Sequence, residues 1–331
     1  MSVSLRGNAR TLPVRGQRIG PVRPTLTAMG DDPGIERIRL AELVAALSLG
    51  VDLGFGQPME HVLRQCLIAL RMAERLGLGE DDRAVVYYTA LLVNVGCHSD
   101  AHEQAKWFGD DIALKSGKYD TGLRAAAGAV RLIGSGNPPL HRFRIGLEFA
   151  VSGHRELSNM IAQHARLARM LAEQLELPDT VAAAIGAAYE QWDGHGWPGE
   201  LRAGEVPIAS RIAQLAEYVE VAHRVGGVDA ACALARKKGG KQFDPQLAAL
   251  LTADAEALLG GLDEVRTWES VIEAEPALAV MLSGQEFDQA LLAVANFVDL
   301  KSPYTLGHAQ VVSELAAAAA VQVGLHEETL R

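Results

Sequence analysis

Apolar residues recur at helical spacing through most of the chain, and no stretch alternates with the period of two that marks a half-buried strand. Residues 35–53 read as an amphipathic helix with Ile38, Val44, Leu47 and Val51 among its apolar positions. A second helix begins at Pro58, carries His61 and stops at Gly77. Asp81 or Asp82 caps a third over 83–95, which is apolar nearly all round and therefore predicts a central position. A polar stretch over 97–120 precedes an Ala-rich helix over 121–133, a loop over 134–140 with Gly136, Pro138 and Pro139, and helices over 143–151, 156–175 and 181–189. Glycines and prolines over 194–207 then stop the chain from reclosing into helix. Helices resume over 208–221 and 247–259, and 264–281 reads as a helical connector. The expected fold class is all-α.

The pattern also repeats. Residues 40–78 and 287–325 share one layout of helix, short loop, His and helix. Val51-Asp52-Leu53 matches Val298-Asp299-Leu300, His61 matches His308, and Gly77-Leu78 matches Gly324-Leu325 at one constant offset. Duplication of one helical domain is the reading. The second copy stops after its paired helices, so most of its core would have to lie beyond residue 331, and the expectation is a truncated gene product or a fragment of a longer protein. The apolar face over 315–325 then needs another surface to cover it, and a symmetric homodimer is expected to supply one.

Composition narrows the classes. With 331 residues the chain can bury one large or two ordinary cores, and a formal charge of -10 argues against direct nucleic-acid binding. Cys66, Cys97 and Cys232 are scattered without a CxxC, which fits buried free thiols and a reducing cytoplasm. No apolar run reaches membrane-spanning length, so no membrane role is expected. Residues 1–34 stand apart: Arg6, Arg10, Arg15, Arg18 and Arg23 come with Pro13, Pro21 and Pro24, and no acid precedes Asp31. This reads as a disordered basic arm or a misassigned start, with Met29 as the alternative initiator, and as dispensable for folding.

The most informative text is WDGHGWPG at 192–199, followed by Glu205-Val206-Pro207-Ile208 and by Gln242-Phe243-Asp244-Pro245. In order and spacing it resembles the HD-GYP family of metal-dependent phosphohydrolases. The resemblance covers residues 36–260 and implies an HD-domain-like helical bundle, with a partial second copy at the C-terminus as in tandem HD-domain regulatory proteins. The implied layout is a degenerate HD-GYP-like domain over 35–260, a helical connector over 261–285 and a truncated second copy over 286–331. The family motif maps onto Glu190, Asp193, Gly194, Gly196, Trp197 and Pro198, with Trp197 keeping an aromatic face but losing the hydroxyl of the family's Tyr.

The family's ligands carry over unevenly. Its first His falls on His61, and its His-Asp pair on Val93 and Asn94. A further His falls on His164, two histidines fall on Ala188 and Tyr189 or Ala187, and the final Asp falls on Glu217. Of the ligands, His61, His164 and Glu217 remain, and a rescue set follows the lost pair as His98, Asp100 and His102. The resemblance implies that any cofactor is a divalent metal, Mn, Fe, Zn or Ni, since imidazole and carboxylate suit these ions. With the pair replaced by Val93 and Asn94, no cofactor is the expectation. His154 and His195 read as surface residues, and Arg236, Lys237, Lys238 and Lys241 as a solvated turn.

Three functional readings follow. The first is a non-catalytic, ligand-sensing or regulatory domain with an eroded metal site, whose ligand is a nucleotide or cyclic dinucleotide. The second is an active phosphodiesterase with rearranged ligands. The third is a structural dimerisation unit of a multidomain transcriptional regulator. The longer-than-usual stretch between Asn94 and His164 leaves the substrate open.

Overall fold

A computed structural model describes residues 38–54, 56–99, 104, 107, 108, 119, 130–276 and 279–325, with side chains at these positions except 98, 152–160 and 162. Residues 1–35 and 36–331 form separate units, and the second is described below. Positions 1–34, Asp100, His102 and most of the helix expected over 121–133 lie outside the described residues.

The fold is all-α. Helices α1 (Leu40–Gly54), α2 (His61–Arg75) and α3 (Glu80–Leu92) pack together with their apolar faces inward. Val62, Leu63, Ile68 and Met72 of α2 are fully buried, each stabilising the fold by roughly 1.5–3 kcal/mol. Helix α3 is central as expected, with Tyr87, Tyr88, Leu91 and Leu92 all sealed from solvent. Its cap differs from expectation. Gly79, in an extended conformation, is the N-cap, and Glu80, Asp81 and Asp82 lie inside the first turn, where they complement the helix dipole. The helix also ends at Leu92, so Val93 and Asn94 fall in a turn before the short 3-10 segment Val95–His98.

Helices α4 (Pro139–Glu148) and α5 (His154–Gln174) follow, joined by a π-helical segment Phe149–Gly153. Helix α5 crosses the turn after α3 at Gly96. A Cβ placed there would stand 2.3 Å from the His164 carbonyl oxygen, so glycine is required by contact. Gly96→Ala should therefore push α5 off the turn and lower stability by about 1–3 kcal/mol, an overpacking cost readable by urea unfolding. An unchanged midpoint would mean that α5 is not seated there.

Of helices α6 (Asp179–Gly186), α7 (Ile208–Lys238), α8 (Pro245–Ala253), α9 (Ala255–Leu259) and α10 (Thr267–Glu273), α7, α9 and α10 pack on α2, α6 packs on α3 and α5, and α8 on α7. Helix α7 extends well past residue 221, although Gly227 (φ 72, ψ -172) breaks its geometry. Ser210, Gln214, Glu217 and Glu220 recur three or four residues apart on it, so a row of buried polar groups shares one face. The expected connector helix over 264–281 is shorter. Pro276 has no N–H to continue a helix, and after it Met281–Leu282 (β2) pairs antiparallel with Ile38–Arg39 (β1). These two-residue strands are too short for a period-two pattern to register. Tyr87 donates to the Val271 carbonyl at 3.1 Å and Tyr88 to Glu275 at 2.6 Å, which ties this segment to α3.

The last elements are α11 (Gly284–Asp299) and α12 (His308–Gln322). They reproduce α1 and α2 in detail. Asp52 accepts the Val62 N–H at 3.2 Å, and Asp299 accepts the Ala309 N–H at 3.0 Å, each satisfying an orphan donor at a helix start. The residue before each helix is left-handed, Glu60 at φ 73 and Gly307 at φ 75, as are Gly77 at φ 68 and Gly324 at φ 77 behind them. Every pair differs by 247 in number (299 − 52, 307 − 60, 324 − 77). The sequence repeat is thus also a repeat of local structure.

Candidate functional site

The site is built where α2 meets α7. His61 begins α2, and its Nδ1 lies against the Glu220 carboxylate, with both side chains sealed from solvent. Arg64 and Arg224 approach the other carboxylate oxygen at 3.4 and 3.2 Å. Arg64 also pairs with Asp263 at 2.6 Å, and Arg224 donates to Gln57 at 2.7 Å. Burial alone would raise the Glu220 carboxyl pKa. The hydrogen bond and charge of His61, then Arg224 and Arg64, outweigh it and hold the carboxyl below its ordinary value. Asp52 behaves oppositely: burial pushes its carboxyl up to about 7, against the pull of His61 and the Val62 N–H.

On the far side of the imidazole, the Tyr119 hydroxyl lies 3.4 Å from His61 Nε2 and donates to Glu217 at 2.8 Å. Burial, then the Glu217 charge, pushes that phenol well above its ordinary value, so it stays a donor. His61 and Glu217, two of the expected ligands, are therefore brought together through a tyrosine.

His164 packs against Tyr189, with ring centres 6.2 Å apart. The Tyr189 hydroxyl reaches Cys97 Sγ at 3.2 Å and donates to the Val93 carbonyl at 3.4 Å. Ala188 is buried, and its carbonyl accepts from Gln214. Asn94 is fully buried and donates to Gln65 at 3.3 Å, while its Oδ1 has no hydrogen-bond partner among the described residues.

Among the described residues no three His, Cys, Asp or Glu side chains converge as a metal site. His61 and Glu217 are bonded to protein groups, and Val93 offers only hydrocarbon. His98 closes the 3-10 segment by its backbone, and its side chain, with Asp100 and His102, lies outside the described residues.

The WDGHGWPG loop is held by Glu190. Its buried carboxylate accepts from the N–H groups of Gly199, Glu200 and Leu201 at 3.1, 2.8 and 3.3 Å. Gly194 and Gly199 are left-handed, and a Cβ on Gly196 would meet the Gln191 nitrogen at 2.3 Å. Asp193 accepts the His195 N–H at 3.0 Å, the Trp197–Pro198 peptide is cis, and Trp197 and His195 face solvent. Asp244 caps α8 through the Gln246 N–H and pairs with Arg211 at 2.6 Å. The motif positions thus act as architecture. Lys238 departs from the solvated turn expected there, since its ammonium sits 4.5 Å above the Tyr218 ring and bonds Gln242 at 2.7 Å. Cys66, Cys97 and Cys232 are buried and form no disulfide.

Glu220, Arg64, Arg224, Asp52 and Tyr119 were not singled out as site residues by the sequence. One signal existed: Glu220 follows Glu217 by three residues on a helix and so shares its face. Tyr119 belongs to a stretch without a motif.

Residues 151–247 match the HD domain family. The chain is 28% identical over 282 residues to the 3'3'-cGAMP-specific phosphodiesterase 3 of Vibrio cholerae serotype O1, which covers 83% of this chain. It spans 61% of that relative's length. The crystal structure of a cyclic GMP-AMP specific phosphodiesterase of V. cholerae superposes with a TM-score of 0.70 at 25% identity, over 89% of this chain and 68% of that one. No described helix is long and apolar enough to cross a membrane. By its all-α fold and the HD domain matched over residues 151–247, this chain is similar to HD-domain phosphodiesterases.

Proposed function

We propose that this domain has exchanged the family's metal site for an internal ion-pair network and acts as a non-catalytic, ligand-sensing or regulatory unit. The observation that carries the reading is the His61–Glu220 contact, sealed from solvent and backed by two arginines. Recruiting Nε2 of His61 to a metal would displace the Tyr119 hydroxyl that lies between it and Glu217, whereas Nδ1 would keep Glu220. The named activity of the V. cholerae relative supports a cyclic dinucleotide as the ligand class. The three buried cysteines, none of them in a disulfide, support a reducing cytoplasm as the compartment.

The rearranged-enzyme reading has one observation in its favour, the buried Oδ1 of Asn94 without a described partner, close in sequence to His98. Purified chain offered Mn, Fe, Zn or Ni should carry well below one metal per chain and leave 3'3'-cGAMP intact, while the dinucleotide raises its melting temperature. Stoichiometric metal with turnover that disappears in both His61→Ala and His164→Ala would establish the enzyme instead. Absence of any melting shift would remove the sensing role.

A further inference from the structure

His61 at the start of α2 and Glu217 on α7 are both buried, and the hydroxyl of Tyr119 stands between them. A buried carboxylate is costly without a donor, and Tyr119 supplies one to Glu217 at 2.8 Å. A phenol has one proton, so once it is given to Glu217 the oxygen turns a lone pair toward His61 Nε2, 3.4 Å away. An ion shared by the two side chains would also have to stand between imidazole nitrogen and carboxylate, about 2.0–2.2 Å from each. That place is taken by the phenol oxygen and the ring behind it.

The ring is fixed on two sides. It meets His61 edge-on at 6.0 Å and Tyr218 at 5.3 Å, and Tyr218 in turn meets the buried Phe243 at 5.7 Å. Lys238 covers the Tyr218 face. The row Phe243, Tyr218, Tyr119, His61 therefore runs from the turn at 242–245 to the start of α2. A tyrosine needed only as a donor to Glu217 would not have to lie against His61 as well.

We propose that Tyr119 bars a divalent ion from His61 and Glu217 by holding its own hydroxyl where that ion would bind. The proposal rests on the ion-pair reading of the site and adds the residue that keeps the exchange in force. Nδ1 of His61 belongs to Glu220, and Tyr119 closes off Nε2.

Zinc binding by the full chain, stripped of metal with a chelator, tests this through melting temperature and through zinc retained after desalting. Wild type should keep well below one zinc per chain and melt unchanged on zinc addition. Tyr119→Ala, which empties the place of hydroxyl and ring, should bind zinc at least roughly tenfold more tightly and melt higher as zinc rises. Adding Glu217→Gln should abolish that gain, since only His61 of the pair is left. Tyr119→Phe keeps the ring and its packing, and so serves even where the Ala variant does not fold. It should retain no more zinc than wild type, and in metal-free buffer it should melt at least roughly 2 °C lower because Glu217 loses this donor. Tyr119→Ala that binds zinc no better than wild type, a gain that survives Glu217→Gln, or Tyr119→Phe that melts with wild type would each overturn the proposal while leaving the ion-pair reading intact. One zinc per wild-type chain, lost in His61→Ala, would overturn that reading and the proposal together.

Discussion

Glu220→Ala should destabilise the fold by about 3–5 kcal/mol, the usual penalty for removing one member of a buried charged group, here the acceptor that His61, Arg64 and Arg224 share. The carboxylate sits among His61, Arg64 and Arg224, with only 1% of its side chain exposed. Glu220→Gln should lose less, since the amide oxygen can still accept one of these hydrogen bonds. The effect has a pH signature. Glu220 has a folded pKa below its ordinary value of 4.5, so its contribution is fully present above pH 4.5 and is lost as pH falls through the lower folded value. The gap between wild type and Glu220→Ala in urea unfolding should therefore be constant above about pH 7, where Asp52 is ionised in both, and its Glu220 part should close in acid. A loss under about 1 kcal/mol at pH 7 would mean that the network is hydrated and worth no more than a surface pair.

The gross fold was legible because helical periodicity, Gly/Pro stops and an α3 that is apolar nearly all round after its charged first turn are local signals. The repeat was legible for the same reason: Asp52 and Asp299 clasp their own following helices, so the feature is written within a span of ten residues. The site was legible only where a motif marked it. His61, His164 and Glu217 could be placed, but nothing local says that Glu220 turns toward His61, 159 residues away in sequence. Tyr119 is farther from such signals still, since its role depends on reaching α2 and α7 at once. Cap placement at Gly79 escaped because three adjacent acids compete for the same position on propensity alone.

Asp52 should dominate the pH dependence between about 4 and 7, and in the direction opposite to Glu220. Its carboxyl rises from the ordinary 3.8 to about 7, chiefly by burial, with Glu220's charge adding and His61 and the Val62 N–H opposing. Between these values the folded chain keeps a proton that the unfolded chain has released, so stability falls as pH rises through the window. The integrated loss is on the order of 4 kcal/mol for a fully buried carboxyl displaced this far. Asp52→Asn removes the titrating proton yet keeps an oxygen for the Val62 N–H, now 3.2 Å away. The Asn variant should match wild type near pH 4 and exceed it by a few kcal/mol above pH 7. Removing Glu220 takes away one of the charges that raise Asp52, so in Glu220→Ala the window should still begin near the ordinary value but end at lower pH. Parallel stability curves for wild type and Asp52→Asn across pH 4–8 would show that water or a proton-sharing neighbour solvates this carboxylate in the folded chain.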